Sequence, residues 1–274
     1  MSIELTKEYV ISHKKSSIKT LNKMLEFYIN SSNPKHLKKA NLLSYWLESF
    51  SNYILKEENY SPLKQISYKR GNVLKVNFGF NVGKEYGGLH YAIVLDKKND
   101  HSSHVVTVIP LTSGTENDTH KNDVFLGTEL FSKLYNRHSL VLEKSQKEMD
   151  ELESINETLS LISKMLSSEL AESDNKTIKL SPEITNKLDR FFEKKNEQDD
   201  KVKQTKNDID FIKKSQRELD KIKEGSIALI GQITTIDKAR IYTPRKSIDV
   251  LYKISFSEDK MNLINEAIKE QYIF

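Results

Sequence analysis

The sequence predicts an α+β protein: a small β-barrel with N-terminal helices, interrupted by an inserted antiparallel helical hairpin. Three observations lead there. Short strand-like runs recur from Arg70 to Glu143 and resume at Gly225, at the spacing of a small barrel. Between Glu143 and Glu224 the apolar residues instead step by three and four, a helical, heptad-like period. The mean hydropathy of −0.59, with 30% charged residues, is too polar for one compact globule of 274 residues. A normal core plus a long solvated helical part accounts for it.

Residues 1–66 read as helical. Ile18, Leu21, Met24, Leu25 and Tyr28 recur at helical spacing, SSNPKH at 31–36 breaks the pattern, and Leu42, Leu43, Trp46, Leu47 and Phe50 form a second amphipathic face. This segment is basic and supplies most of the chain's formal charge of +4. It reads as a helical pair packed on the rest of the protein, or as a basic surface for RNA or a partner. The texture changes at Arg70. RGNVLKVNFGF alternates, with Val73, Lys75 and Asn77 against Leu74, Val76 and Phe78. YAIVLD at 91–96 and HVVTVIPL at 104–111 read as buried strands. DVFLG at 123–127 and HSLVLE at 138–143 are two more, or one strand and the lead into a helix.

The outgoing arm of the hairpin carries Met149, Leu152, Ile155, Leu159, Ile162, Leu166 and Leu170. SDNKTIKLSPE at 173–183 is the expected bend, with a helix start at Ser181-Pro182-Glu183. The return arm runs through Ile184, Leu188, Phe191, Phe192, Val202, Ile209, Ile212 and Leu219, thinning around KKNEQDDKVKQ. The outgoing arm, 143–174, has three basic against nine acidic residues, and the return arm is slightly basic, so facing charges favour pairing as a coiled coil. GSIALIGQITTID at 225–237 restores β texture, and YKISFSEDKMNLINEAIKEQYIF reads as a strand and a short amphipathic helix. Strands on both sides of the hairpin imply one interrupted β-domain, 67–142 with 225–274, beside a helical segment 1–66 and an inserted hairpin 143–224.

The composition excludes several function classes. With no cysteine there is neither a disulfide nor a Cys-based zinc site. MSIELTKEYVISHKK has no long apolar run, and no stretch reaches the roughly 18 apolar residues of a membrane span. The expectation is an intracellular, cytoplasmic protein with no membrane contact. His13, His36, His101, His104, His120 and His138 form no HExxH or other metal pair, and GFNVGKEYGG lacks the context of a Walker loop, so no metal and no cofactor is expected. The mild positive charge and a pI near 8.8 are compatible with nucleic acid without demanding it.

Three stretches, RGNVLKVNFGFNVGKEYGGLHYAIVL, VTVIPLTS and GQITTIDKARI, resemble in order and phasing the core motifs of the MazF/PemK endoribonuclease toxins. The resemblance covers roughly 69–142 and 225–272. It implies an SH3-like barrel, a homodimer, an antitoxin partner, and metal-independent cleavage of single-stranded RNA. In that chemistry the 2′-hydroxyl attacks the adjacent phosphorus, leaving a cyclic phosphate and a 5′-hydroxyl. Where the MazF branch has arginine then proline after the glycine pair, this chain has His90-Tyr91. The branch's threonine matches Thr112, with Ser113 beside it, and its glutamine matches Gln232. The PemK branch's loop histidine falls at Lys84, and its arginine and aspartate at Ala228 and Ile230, so that set is absent.

The chemistry needs a base, an acid and donors for the phosphate charge. His90 suits proton transfer near neutrality, and reads otherwise as a strand-end histidine bonding a backbone carbonyl. Thr112 and Gln232 complete the expected catalytic set, against plain structural roles as a turn cap and a barrel hydrogen bond. Lys84, Ser113, Arg70, Lys75 and Arg240 are the expected RNA contacts. Gly87 and Gly88 let the loop turn close to a backbone. The sequence therefore reads as an endoribonuclease toxin of a toxin–antitoxin or phage-defence system. The alternatives are a catalytically weakened RNA- or partner-binding relative, and a helical adaptor on a barrel base. The arm reads as a screen for the basic groove or as a spacer or oligomerisation element.

Overall fold

The computed structural model of the protein describes residues 5–172 and 182–273. Two helices come first, α1 (Lys7–Ile29) and α2 (Pro34–Lys56). Each starts on a capping side chain: Thr6 Oγ1 accepts from the Tyr9 N–H at 3.2 Å, and Asn33 Oδ1 from the Lys35 N–H at 3.0 Å, with Pro34 opening α2. The break expected at 31–36 is this junction. α1 buries none of its residues and α2 buries Ala40 and Leu43, so the pair rests on the domain through a narrow contact.

Seven strands form one antiparallel sheet: β1 (Val73–Asn77), β2 (Leu89–Val94), β3 (Val105–Ser113), β4 (Val124–Gly127), β5 (Ser226–Ala228), β6 (Thr234–Asp237) and β7 (Ile241–Thr243). Their order is β4-β5-β3-β2-β1-β7, with β6 beside the first half of β3. The hydrogen-bonded path is open: among the described residues no ladder joins β4 to β7. β3 crosses the centre with β2 on one edge and β6 then β5 on the other. Pro110 lies where that edge passes from β6 to β5. Its carbonyl accepts from the Leu229 N–H at 3.0 Å, and its missing N–H faces a one-turn connection that asks for no ladder bond.

Both faces of the sheet are buried. Val73, Ile93, Ile109 and Leu111 pack against Leu130, Leu134, Met261 and Ile264 of helices α3 (Glu129–Glu172) and α5 (Glu258–Tyr272). Leu74, Val76, Ala92, Val94, Val106 and Val108 pack on the other face with Tyr68, Phe78, Ile236 and Ile241. Several expectations change here. DVFLG is the strand and HSLVLE lies in the helix, the second of the two readings, but that helix starts at 129 and not at 143, because Leu130 and Leu134 seat α3 on the core. GSIALIGQITTID breaks into β5 and β6 around a turn. YKISF contributes a single bridge, Asn72 with Ser255.

α3 is paired by α4 (Pro182–Leu219), which starts at the expected proline; the bend before it lies outside the described residues. His138 with Ser215, Lys144 with Asp208, Glu148 with Thr205 and Glu151 with Lys201 keep one antiparallel register. Within that register the buried positions are His138, Ser145, Thr205 and Ser215, while Met149 of the expected stripe is 52% exposed. The side chains of Leu159, Leu166, Leu170, Ile184, Leu188, Phe191 and Phe192 lie outside the described residues. The base of the arm is bolted to the sheet. Lys75 Nζ pairs with Glu218 at 2.6 Å, Tyr91 donates its hydroxyl to the same carboxylate, and Ile222 enters the core.

Candidate functional site

The loop between β1 and β2, residues 78–88, builds the site. The Gly88 N–H donates to the Gly79 carbonyl at 2.7 Å and the Phe78 N–H to the Gly88 carbonyl at 2.8 Å, closing the loop's neck. Gly88 has φ +92°, and a Cβ on Gly87 would lie 2.8 Å from the Gly79 oxygen, so both roles expected of the pair are visible. Across the neck, a Cβ on Gly79 would lie 2.6 Å from the Trp46 ring, so α2 packs flat against this loop.

Tyr86 is the hub. Its hydroxyl donates to the Leu111 carbonyl at 2.7 Å, and the Thr112 side chain lies near enough to offset in part the effect of burial on the phenol. Its backbone N–H donates to Gln232 Oε1 at 3.2 Å, while Gln232 Nε2 donates to the Lys84 carbonyl at 3.4 Å. The His90 ring lies 4.6 Å, centroid to centroid, from the tyrosine ring. Burial pushes the phenol up to about 12, so Tyr86 stays protonated and a donor. The three expected catalytic residues, His90, Thr112 and Gln232, are thus gathered around one tyrosine. The Gln232 amide is engaged at both ends in holding the loop, and Thr112 lies beside Tyr86.

His90 faces a cleft of about 630 Å³ between this loop and α2. Half-burial lowers its imidazole from the ordinary value, against an opposing hydrogen bond at the Gly87 backbone. The neutral ring can accept a proton at neutral pH. The opposite wall is Lys38, Leu42, Tyr45, Trp46 and Ser49 of α2. Arg240 stacks its guanidinium 5.4 Å from the Trp46 ring and donates Nε to the Asn77 carbonyl at 2.9 Å. It borders two smaller cavities, of about 350 and 320 Å³, on the far sides of Trp46 and Tyr86.

The other expected RNA contacts scatter. Lys84 is exposed on the loop, and Ser113 is exposed at the end of β3, beside Ser226. Arg70 lies at the opposite end of the β1–β2 hairpin from His90, where its guanidinium holds the Leu95 carbonyl and Asn265. Lys75 is 8% exposed and committed to Glu218, with its ammonium 5.2 Å from the Tyr91 ring. Both are structural staples here, set apart from the cleft. The reading from sequence passed over Tyr86, although it immediately precedes the glycine pair, and it gave the α2 face no part in the site. Among the described residues no three His, Asp or Glu side chains gather as a metal ion would require, and no helix is long and apolar enough to cross a membrane.

No curated protein matches the chain. The family model described as PemK-like, MazF-like toxin of type II toxin-antitoxin system matches residues 69–179. The match takes in β1 to β4, the Tyr86 loop, His90, Thr112 and α3, and leaves α1, α2 and the returning strands β5 to β7 outside. Over residues 69–179 the chain is therefore similar to the PemK-like, MazF-like toxin family of type II toxin–antitoxin systems.

Proposed function

We propose that the protein is a metal-independent endoribonuclease toxin that cleaves single-stranded RNA in the cytoplasm and is held in check by an antitoxin. In this reading the sheet is an SH3-like barrel, the active form is a homodimer, and the arm is a coiled coil. The observation that carries the proposal is His90, half-buried and facing a 630 Å³ cleft inside the family-matched segment. Its imidazole takes the 2′-hydroxyl proton. The 2′-oxygen bonds to phosphorus as the bond to the 5′-oxygen breaks, giving a 2′,3′-cyclic phosphate. The 5′-oxygen leaves with a proton from water, and the imidazolium returns its own to solvent. Lys38 lines the cleft and supplies positive charge for the phosphate oxygens, with Lys84 exposed on the 78–88 loop as a further cation. Gln232 and Thr112 act by fixing the Tyr86 loop against which His90 packs, so they are positioning residues.

The test is cleavage of a long mixed-sequence RNA in EDTA by wild type and His90→Ala, with the ends mapped. Cleavage by wild type alone, leaving 5′-hydroxyl ends, supports the proposal. Equal cleavage by both proteins removes His90 from the chemistry. No cleavage by either favours a binding module over an enzyme.

A further inference from the structure

We propose that α2, outside the family-matched segment, is part of the substrate site: its inner face is a stacking wall for the unpaired bases of single-stranded RNA. The inference rests on the RNA reading of the cleft and extends it to a helix that the family domain does not contain.

Lys38, Leu42, Tyr45 and Ser49 step by four, three and four, with Trp46 next to Tyr45, so they share one side of α2, and that side forms one wall of the cleft whose other wall holds His90. Packing does not explain their character. Tyr45 is 65% exposed and Leu42 49% exposed, in a helix that buries only Ala40 and Leu43. Trp46 is held in place by the backbone at Gly79 and by Arg240, and Phe50 and Tyr53 continue the aromatic row at 5.9 and 6.3 Å. A fixed indole beside an exposed phenol offers flat π surface at little entropic cost. Every base has such a face, and bases reach it once they are unstacked from one another. From Lys38 to Ser49 the wall runs ~16 Å at 1.5 Å per residue, room for a few nucleotides, with Lys38 at one end for a phosphate. Glu85, the acidic residue on the cleft, accepts a hydrogen bond from the Val82 N–H at 3.2 Å and is tied into its own loop. One basic end, an aromatic middle and a candidate proton acceptor opposite favour a single strand of nucleic acid as occupant.

Trp46 is the sole tryptophan, so its emission reports on this wall. The full chain is titrated with a 5′-labelled, uncleavable 2′-O-methyl oligoribonucleotide of mixed sequence, following label anisotropy and tryptophan emission together, and then with its duplex. Saturable quenching by the single strand, weaker with the duplex, is the expected result. Tyr45→Ala is expected to raise Kd about tenfold, the loss of one stacked base. Lys38→Ala is expected to lower the salt dependence of binding by about one charge. Both positions are exposed, and thermal unfolding checks that the fold is kept. Anisotropy that rises while emission stays flat, or a Kd indifferent to Tyr45→Ala, overturns the inference; in the latter case the wall is left for a protein partner. No binding at all overturns it as well. Quenching without cleavage by wild type would keep the wall and remove the nuclease. Cleavage with flat emission would do the reverse.

Discussion

At His90 two local forces oppose each other, and burial outweighs the backbone hydrogen bond, so the imidazole is held below its usual value. A group of this kind used as a base works in its neutral form. Cleavage should therefore persist below the pH at which an ordinary imidazole protonates, about 6.5, and fall only as pH drops through the lowered value. A pH–rate profile of wild type, with an acid limb absent from any residual activity of His90→Ala, checks this. Gly88 carries the second residue-scale prediction. Its φ is +92° and an added Cβ would lie 3.1 Å from His90 Nε2. Gly88→Ala should cost about 1–2 kcal/mol of stability and shift the ring, read by urea unfolding and by activity. The position of His90 was legible because the sequence sets it two residues after a glycine pair, at the mouth of an apolar strand. Tyr86 was not, because an aromatic residue in a polar loop reads as solvent-exposed until its hydroxyl is seen reaching Leu111 across the sheet.

At the scale of elements, β1 shows why alternation alone misassigned Lys75. A strand with one wet face sends every second side chain to water, whereas β1 is covered on both sides. Lys75 shares a face with Val73, where the end of α4 brings Glu218 to meet it. Glu218→Ala strands a buried ammonium and should lower the unfolding free energy by about 3 kcal/mol. The double variant Lys75→Met with Glu218→Leu should recover most of that loss. Chemical denaturation of the set of variants decides it, and an undisturbed single variant would mean the pair is solvated. The partner of Lys75 is 143 residues away in sequence, and no local pattern contains that contact.

For the whole molecule, the arm is less separable than its helical period suggests. Residues 205–222 belong to the base as much as to the arm, through His138–Ser215, Lys75–Glu218 and buried Ile222. A deletion of 145–222 should therefore fail to fold. A deletion of 149–204 bridged by a short linker, which keeps Lys144–Asp208, should unfold cooperatively near the wild-type midpoint. Circular dichroism melts of the two proteins compare them. Cleavage assays on the shorter deletion then ask whether the acidic arm screens the cleft: increased activity supports screening, and unchanged activity leaves the arm a spacer or interaction element.

The amino-acid sequence by itself determined the α+β class, the two N-terminal helices, strands on both sides of a helical insertion, and the family resemblance of the segment that carries His90. These follow from period, punctuation and short motifs, which are properties of neighbouring residues. Tertiary structure alone decided that Lys75 and Arg70 are staples, that Gln232 ties the Tyr86 loop with Thr112 beside Tyr86, and that α2 closes the cleft over His90. Those are outcomes of which distant surfaces meet. A side chain's role then depends on the partner that removes it from water, and that partner is set by the packing of the whole chain.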